Sequence, residues 1–415
     1  MGKRRADSVL PAMATPHAAA ALWRDRLTPV TTETLPVDHA VGRVLAEDVT
    51  SDRDSPAADV SAMDGYALRL GDLTPGGSLP VAFAVQTGVT PPPLPAGAAA
   101  RLFTGGVVPG GAETVVKRED VDESVPGTFT LRPDATPPDA GQHIRRRGEN
   151  ATRGDVLLRR GSPITPAAVV TLAAVGCSTP AVHRRVRVAV LVTGNEVRAA
   201  SGGVDDAEVR DCNGPGLAGL LRDAAWCDVV IVDRVIDDPG VTQEAFAAAA
   251  ERADVILSTG GVSMGDHDHV PAAALALGAE VLYHQLSMRP GKPNFGAVLP
   301  DGTAVVALPG NPVSALVGTV VLGGPALRQR GGWAEEPRRQ RVVVDTQTPP
   351  TPATLGLWRY LPAAVTAGGR AAPLANRGSG DVAALGPSHG LLELPPDTPI
   401  DAGDAAWPWL GWGVS

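Results

Sequence analysis

ADVILSTGGVSMGDHDH, residues 253–269, reads as a buried strand running directly into a polar, glycine-rich loop. Val255, Ile256 and Leu257 show no polar alternation, as expected of a strand covered on both faces in a parallel sheet. Gly260, Gly261 and Gly265 allow close backbone approach and positive φ. A helix beginning near Val270 would then present free N–H groups and a positive dipole end to an anion. The same rhythm surrounds this stretch. Strands RVAVLV (187–192), DVVIV (228–232) and AVVAL (304–308) alternate with the helical patterns GPGLAGLLRDA, TQEAFAAAAERA, VPAAALALG and NPVSALVGTVVL. The alternation predicts a three-layer α/β domain over 186–333 with a mainly parallel sheet.

Outside that domain the punctuation changes. Proline and glycine clusters cut residues 51–147 into short segments such as LPVAFAV, ARLFTG and ETVVKRED, which suits a β-rich unit. HAAAALWRDRL (17–27), HAVGRVLAEDV (39–49) and TPAAVVTLAAVG (165–176) have helical spacing. The β-rich unit is therefore predicted to be inserted into a helical and extended domain made of 1–50 and 148–185. RQRVVVDTQTP, LWRYLPAAV and GLLELPP read as strands of a small C-terminal β domain, 334–415. The overall class is multidomain α/β and β.

Composition narrows the partners. The net charge is −9 and the Lys and Arg residues are scattered, so no basic face for nucleic acid is expected. No apolar run approaches 18 residues, and no membrane association is expected. Cys177, Cys212 and Cys227 show no C-x-x-C spacing, which suits a reducing, cytoplasmic location. Small molecules remain as the expected ligands.

In open parallel sheets, ligands bind beyond the carboxyl ends of the strands. TGNE (193–196), IDDP (236–239), STGGVSMGDHDH (258–269) and PGNPVS (309–314) all follow strands and should share that rim. Each alone is also what an ordinary strand-to-helix turn looks like. In PGNPVS, Pro312 suits a first helical turn and Ser314 can bond an oxyanion. Glu196, Asp237, Asp266 and Asp268 are hard oxygen donors suited to Mg²⁺ with substrate phosphates, although such acids also serve as helix caps. His267 and His269 lack a third ligand at the spacing zinc requires. SMRPGKP (287–293) holds Arg289 and Lys292 in a stiff turn suited to phosphate or another oxyanion.

SAMDGYA (61–67), RLFTGGVVPGGAETVV (101–116), HIRRRGEN (143–150), TGNEV, STGGVSMGDHDHV, RPGKP and LPGNPVSA occur in the order and spacing of the molybdopterin molybdotransferases, the family that also includes the C-terminal part of gephyrin. The chain resembles that family over nearly its whole length, least after residue 334. The resemblance implies an enzyme that takes adenylylated molybdopterin and molybdate, releases AMP with divalent-metal help and yields molybdenum cofactor. It also implies a homodimer in which the inserted β-rich domain of one subunit faces the α/β rim of the other. Molybdopterin adenylyltransferase and molybdoenzyme apoproteins are the implied protein partners.

Carried over by motif, Asp64, Thr104, Glu196, Asp237 and Asp268 are the implied catalytic residues, with Glu196, Asp237 and Asp268 as metal ligands. Thr193, Gly260, Gly261, Ser263, Arg289, Lys292, Pro309, Gly310, Asn311, Ser314, Arg359 and Ser379 are the implied substrate-binding residues. Three positions depart from the family pattern. Asn150 stands where an acid is usual, His284 where a lysine is, and Arg289 where the first lysine of KPGKP is. A non-catalytic pterin-binding scaffold and a molybdopterin adenylyltransferase are the competing readings.

Overall fold

A computed structural model describes residues 14–262, 268–337, 339–345, 354, 356–399 and 406–414. The chain forms two compact units, one of Met1–Glu47, Arg159–Val170 and Ser178–Ser415, the other of Asp48–Leu158 and Thr171–Cys177.

The larger unit is organised by a six-stranded sheet in the order Cys227–Val235, Val186–Thr193, Val255–Thr259, Ala304–Leu308, Phe295–Val298, Glu280–His284. The first four strands are parallel and the last two antiparallel. Alternate side chains of one strand serve opposite faces, as the two-residue period of a strand demands. Val188, Val190 and Val192 pack with Leu217 and Leu221 of the helix Asn213–Arg222 and with Val313 and Val317 of the helix Pro312–Gly318. Ala189 and Leu191 pack on the other side with Phe246 and Ala249 of Pro239–Ala250 and with Val270 and Ala274 of His269–Ala276. Two buried faces explain why these strands carry unbroken apolar runs.

The C-terminal strands belong to the same compact unit. Their sheet runs Met288–Arg289, Trp358–Val365, Gly390–Leu394, Ala406–Gly411, Gln340–Val343. Met288 and Arg289 come from the α/β segment but pair in parallel with Trp358 and Arg359. The structure therefore binds the expected 186–333 and 334–415 regions into one body through a shared strand.

The smaller unit holds a second six-stranded sheet, ordered Thr114–Lys117, Gly65–Leu68, Ala99–Leu102, Ser78–Val85, Thr128–Leu131, Val121–Asp122. Tyr66, Leu68 and Phe129 pack on one face, Ala67, Ala100, Leu102 and Val115 on the other. Its boundaries lie outside the expected 51–147, because Val49–Thr50 pairs with Val156–Leu158 within this unit. The flanking pieces assigned together as 1–50 and 148–185 are thereby divided. Thr32–Thr34 and Ala181–His183 pair with each other in the larger unit.

One helical expectation fails. HAVGRVLAEDV forms no α-helix: a 3-10 turn covers only Val37–His39, and Gly42 follows with a φ of 78° that is foreign to a right-handed helix. Val44 and Leu45 are then buried and make bridges to Pro163 and Val182. The apolar spacing that mimicked a helical face comes from two extended residues buried back to back and flanked by turns. HAAAALWRDRL is a short helix, Pro16–Leu22, capped by the Thr15 hydroxyl accepting from Ala18 N at 3.1 Å, and it continues as one 3-10 turn.

Candidate functional site

At the carboxyl end of the parallel sheet, backbone and side chains knit the loops together. Thr193 closes the Val186–Thr193 strand, is buried, and donates its hydroxyl to Thr259 O at 3.2 Å. Gly260 follows with φ 91°, and a Cβ there would fall 2.5 Å from Thr193 Oγ1. Only glycine fits so close an approach in that conformation. Asn213, at the start of its helix, donates from Nδ2 to Thr259 Oγ1 at 3.2 Å and to Gly310 O at 2.8 Å. It joins two strand ends from a buried position that no loop motif signals.

The acids of this rim are held differently from one another. Asp237 Oδ2 accepts from Asn195 N, and Asp237 N donates to Asn195 Oδ1, both at 3.1 Å, so TGNE and IDDP lie side by side. Asp238, not Asp237, caps the following helix, accepting from Gly240 N and Val241 N. Glu196 is exposed on the neighbouring turn, and Asp268 precedes the helix His269–Ala276 without capping it. Among the described residues, no three His, Cys, Asp or Glu side chains are grouped to hold a metal ion. Glu196, Asp237 and Asp268 therefore do not form a ready-made three-carboxylate site, since they stand on separate loops. Ser263, Asp266 and His267 lie outside the described residues.

Beside these loops is a cavity of about 720 Å³. Arg289, Lys292, Pro309, Asn311, Ser314, Arg359 and Ser379 all line it. The cationic turn is closed by Leu286 N and Asn294 N donating to Lys292 O at 2.9 and 3.0 Å, with Asn294 Nδ2 donating to Gly291 O. Asn311 Nδ2 donates to Ser379 Oγ at 2.9 Å, and Val313 N donates to Ser379 O at 3.1 Å. These bonds fasten the C-terminal segment to the start of the Pro312–Gly318 helix. Arg359 is buried, and burial together with the positive charge of Arg289 lowers its pKa. An oxyanion bound here would relieve both penalties. Asn376 and Arg377 also line the cavity and are not among the residues that the sequence singles out.

Thr193, Gly260, Gly261 and Gly310 shape the neighbouring loops and do not line the cavity. His284 is absent from the lining as well. It ends the antiparallel edge strand, buried with its ring 6.0 Å from that of Phe295. Burial holds its pKa below the usual histidine value, with Asp268 pulling back the other way. A buried imidazole with a lowered pKa is neutral at pH 7, where a lysine would be charged.

Asp64 and Thr104 belong to the smaller unit. Asp64 Oδ1 accepts from Thr104 N and from Thr104 Oγ1, both at 2.8 Å. The two hydrogen bonds, reinforced by the charges of Arg118 and Arg101, hold the Asp64 carboxyl below the ordinary carboxylate range. Asn150 accepts from Arg145 Nη2 at 2.7 Å through its Oδ1, filling the acceptor role of an acid without its charge.

Comparison with known proteins gives a consistent picture. Residues 14–176 match the family model described as MoeA N-terminal region (domain I and II), and residues 189–329 match the one described as probable molybdopterin binding domain. A protein of Haemophilus influenzae named molybdopterin molybdenumtransferase is 34% identical over 76% of this chain and 78% of its own length. One of the same name from Staphylococcus aureus is 31% identical over 87% of each chain. The crystal structure of a molybdopterin biosynthesis moeA protein from Pyrococcus horikoshii OT3 covers 96% of this chain and all of its own, with a TM-score of 0.80 at 26% identity.

Proposed function

Because this chain belongs to the molybdopterin molybdenumtransferase family and is an enzyme of molybdenum cofactor biosynthesis, we propose that the cavity beside its rim receives molybdate for insertion into adenylylated molybdopterin. The observation that carries this reading is the convergence of Arg289, Lys292 and Arg359 with the hydroxyls of Ser314 and Ser379 on one cavity. Two guanidiniums, an ammonium and two hydroxyls suit a small doubly charged oxyanion. In the same reading, Thr193, Gly260, Gly261 and Gly310, together with Ser263, form the pterin side, where backbone can approach a flat ligand closely.

Mg²⁺ fits the rim acids only with help from the substrate. It commonly keeps one or two carboxylates and completes its shell with phosphate oxygens and water. Glu196, Asp237 and Asp268 would supply those carboxylates, and the ion would neutralise pyrophosphate charge. The functional form is a homodimer, and sedimentation as a monomer at assay concentration would remove that element.

The test supplies preformed adenylylated molybdopterin and molybdate to the full chain. The expected result is release of AMP and transfer of the product to a molybdoenzyme apoprotein. Arg289→Ala should raise the molybdate concentration needed for half-maximal AMP release by about 10-fold or more, the scale of one lost charge-assisted hydrogen bond. Formation of adenylylated molybdopterin with release of pyrophosphate from ATP and molybdopterin would favour an adenylyltransferase. Pterin binding without either reaction would favour a scaffold.

A further inference from the structure

The face of the smaller unit that carries Asp64 holds a cation with no hydrogen-bond or ion-pair partner among the described residues. Tyr66 and Arg101 lie directly opposite each other on the antiparallel pair Gly65–Leu68 and Ala99–Leu102, so their side chains share a face. Two arginines stand on it, and their situations differ. Arg118 is committed: Nε and Nη2 donate to the two oxygens of Glu123 at 2.9 and 3.0 Å. The Tyr66 hydroxyl donates to the same carboxylate at 2.8 Å. Glu123 thus already accepts three hydrogen bonds, and Arg101 makes none to it although it lies close enough to influence its charge.

Arg101 is half-buried and makes neither a hydrogen bond nor an ion pair with any described residue. Its guanidinium carbon sits 5.7 Å from the centroid of the Phe103 ring. That contact orients the group without satisfying any of its five N–H donors. Phe103 directly precedes Thr104, whose backbone N–H and hydroxyl grip Asp64. The aromatic platform, the guanidinium and the grip on Asp64 are thus built by one short segment, Arg101–Thr104.

The Arg101 nitrogens are not among the buried unpartnered atoms, so they face solvent and an anion arriving from it can take their unused donors. We propose that Arg101 is a substrate-binding residue that takes a tetrahedral oxyanion of the substrate beside Asp64. The inference rests on the reading that Asp64 and Thr104 belong to the substrate site. A guanidinium fork recognises phosphate and molybdate through the same geometry, so the shared chemistry is two oxygens of one tetrahedral anion.

The experiment uses the full chain, with AMP release followed while adenylylated molybdopterin and molybdate are varied in turn. Arg101→Met is expected to raise the KM for one of them by about 10- to 100-fold, the scale of a lost charge-assisted contact, with kcat and thermal unfolding little changed. A shift with adenylylated molybdopterin assigns the anion to its phosphates, and a shift with molybdate assigns it to the metal oxyanion. Arg101→Lys should recover part of the loss, and it carries the test if Arg101→Met unfolds. Arg118→Met removes a guanidinium that is already paired, and should leave both dependences within about threefold.

Unchanged KM values in Arg101→Met, with AMP release abolished in Asp64→Asn, would overturn the Arg101 assignment and leave the proposed function standing. If Asp64→Asn itself releases AMP at the parental rate, the placement of this face in the substrate site falls, and Arg101 falls with it.

Discussion

The two ends of the parallel sheet treat carboxylates in opposite ways. At the amino end, Asp254 is buried just before the Val255–Thr259 strand, and its charge is fully answered. Arg184 grips it with two hydrogen bonds of 2.7 Å, Arg187 N donates at 2.8 Å, and Arg330 Nη2 lies 3.5 Å away. At the carboxyl end, Glu196 and Asp237 are more accessible, and among the described residues neither has an ion pair within 4 Å. One end uses its acid to fasten strands and helix together. The other leaves acids unanswered by the protein, which is what a site for a metal and phosphates requires.

The sharpest way to break this contrast is to remove Asp254. Asp254→Ala would strand Arg184 and Arg330 beside a buried, carboxylate-free pocket, and loss of one member of a buried pair costs about 3–5 kcal/mol. A fall of that size in unfolding free energy is expected in a denaturant titration, with the kinetic constants of the surviving folded enzyme unchanged. A loss below about 1 kcal/mol would mean the network is dispensable. The second effect is smaller and depends on pH. Burial alone would raise the Asp254 carboxyl, but the hydrogen bonds from Arg184 and Arg187 outweigh it and hold the pKa at about 2. The folded chain keeps this group ionised at pH values where the unfolded chain, with an ordinary aspartate, takes up a proton. Its contribution, about 2 kcal/mol for a shift of this size, is complete above the unfolded value near 4 and disappears as pH falls toward 2. Asp254→Asn should flatten that segment of the stability profile, and a mutant curve parallel to the parent's would remove Asp254 as its source.

The same contrast explains what the sequence could disclose. The sheet was legible because strands buried on both faces carry apolar runs, as VAVLV, VIL and AVVAL do. The rim was legible because glycines and polar residues follow those runs immediately. Arg289, Lys292 and Ser314 could be singled out from short motifs that carry their own geometry, and Ser379 only through the family resemblance. Asn213 was not, because its two bonds reach loops 46 and 97 residues away. Arg101 was missed for a related reason. Its lack of a partner is a relation among Glu123, Arg118 and Tyr66, and no spacing in the chain records that Glu123 is already taken. HAVGRVLAEDV misled because two buried extended residues between turns imitate one face of a helix over so short a span.

The smallest stability change is expected at the functional end. Asp237 contributes one backbone-directed hydrogen bond from an accessible loop, with Asn195 N at 3.1 Å. Removing it in Asp237→Ala leaves Asn195 N within reach of water, so no buried donor is orphaned. The cost to unfolding free energy should stay below about 1 kcal/mol. Catalysis should respond differently, because the carboxylate is proposed to share Mg²⁺ with the substrate pyrophosphate. AMP release should fall on the order of 100-fold, the scale of a removed charge-stabilising group. Excess chelator should depress the parent enzyme further than it depresses the variant, since the variant has already lost part of the metal's support. The pair of measurements decides whether the unanswered acid is there for chemistry. A variant that unfolds readily while its folded fraction remains fully active would make Asp237 a structural residue like Asp254, and the proposed difference between the two ends of the sheet would not survive.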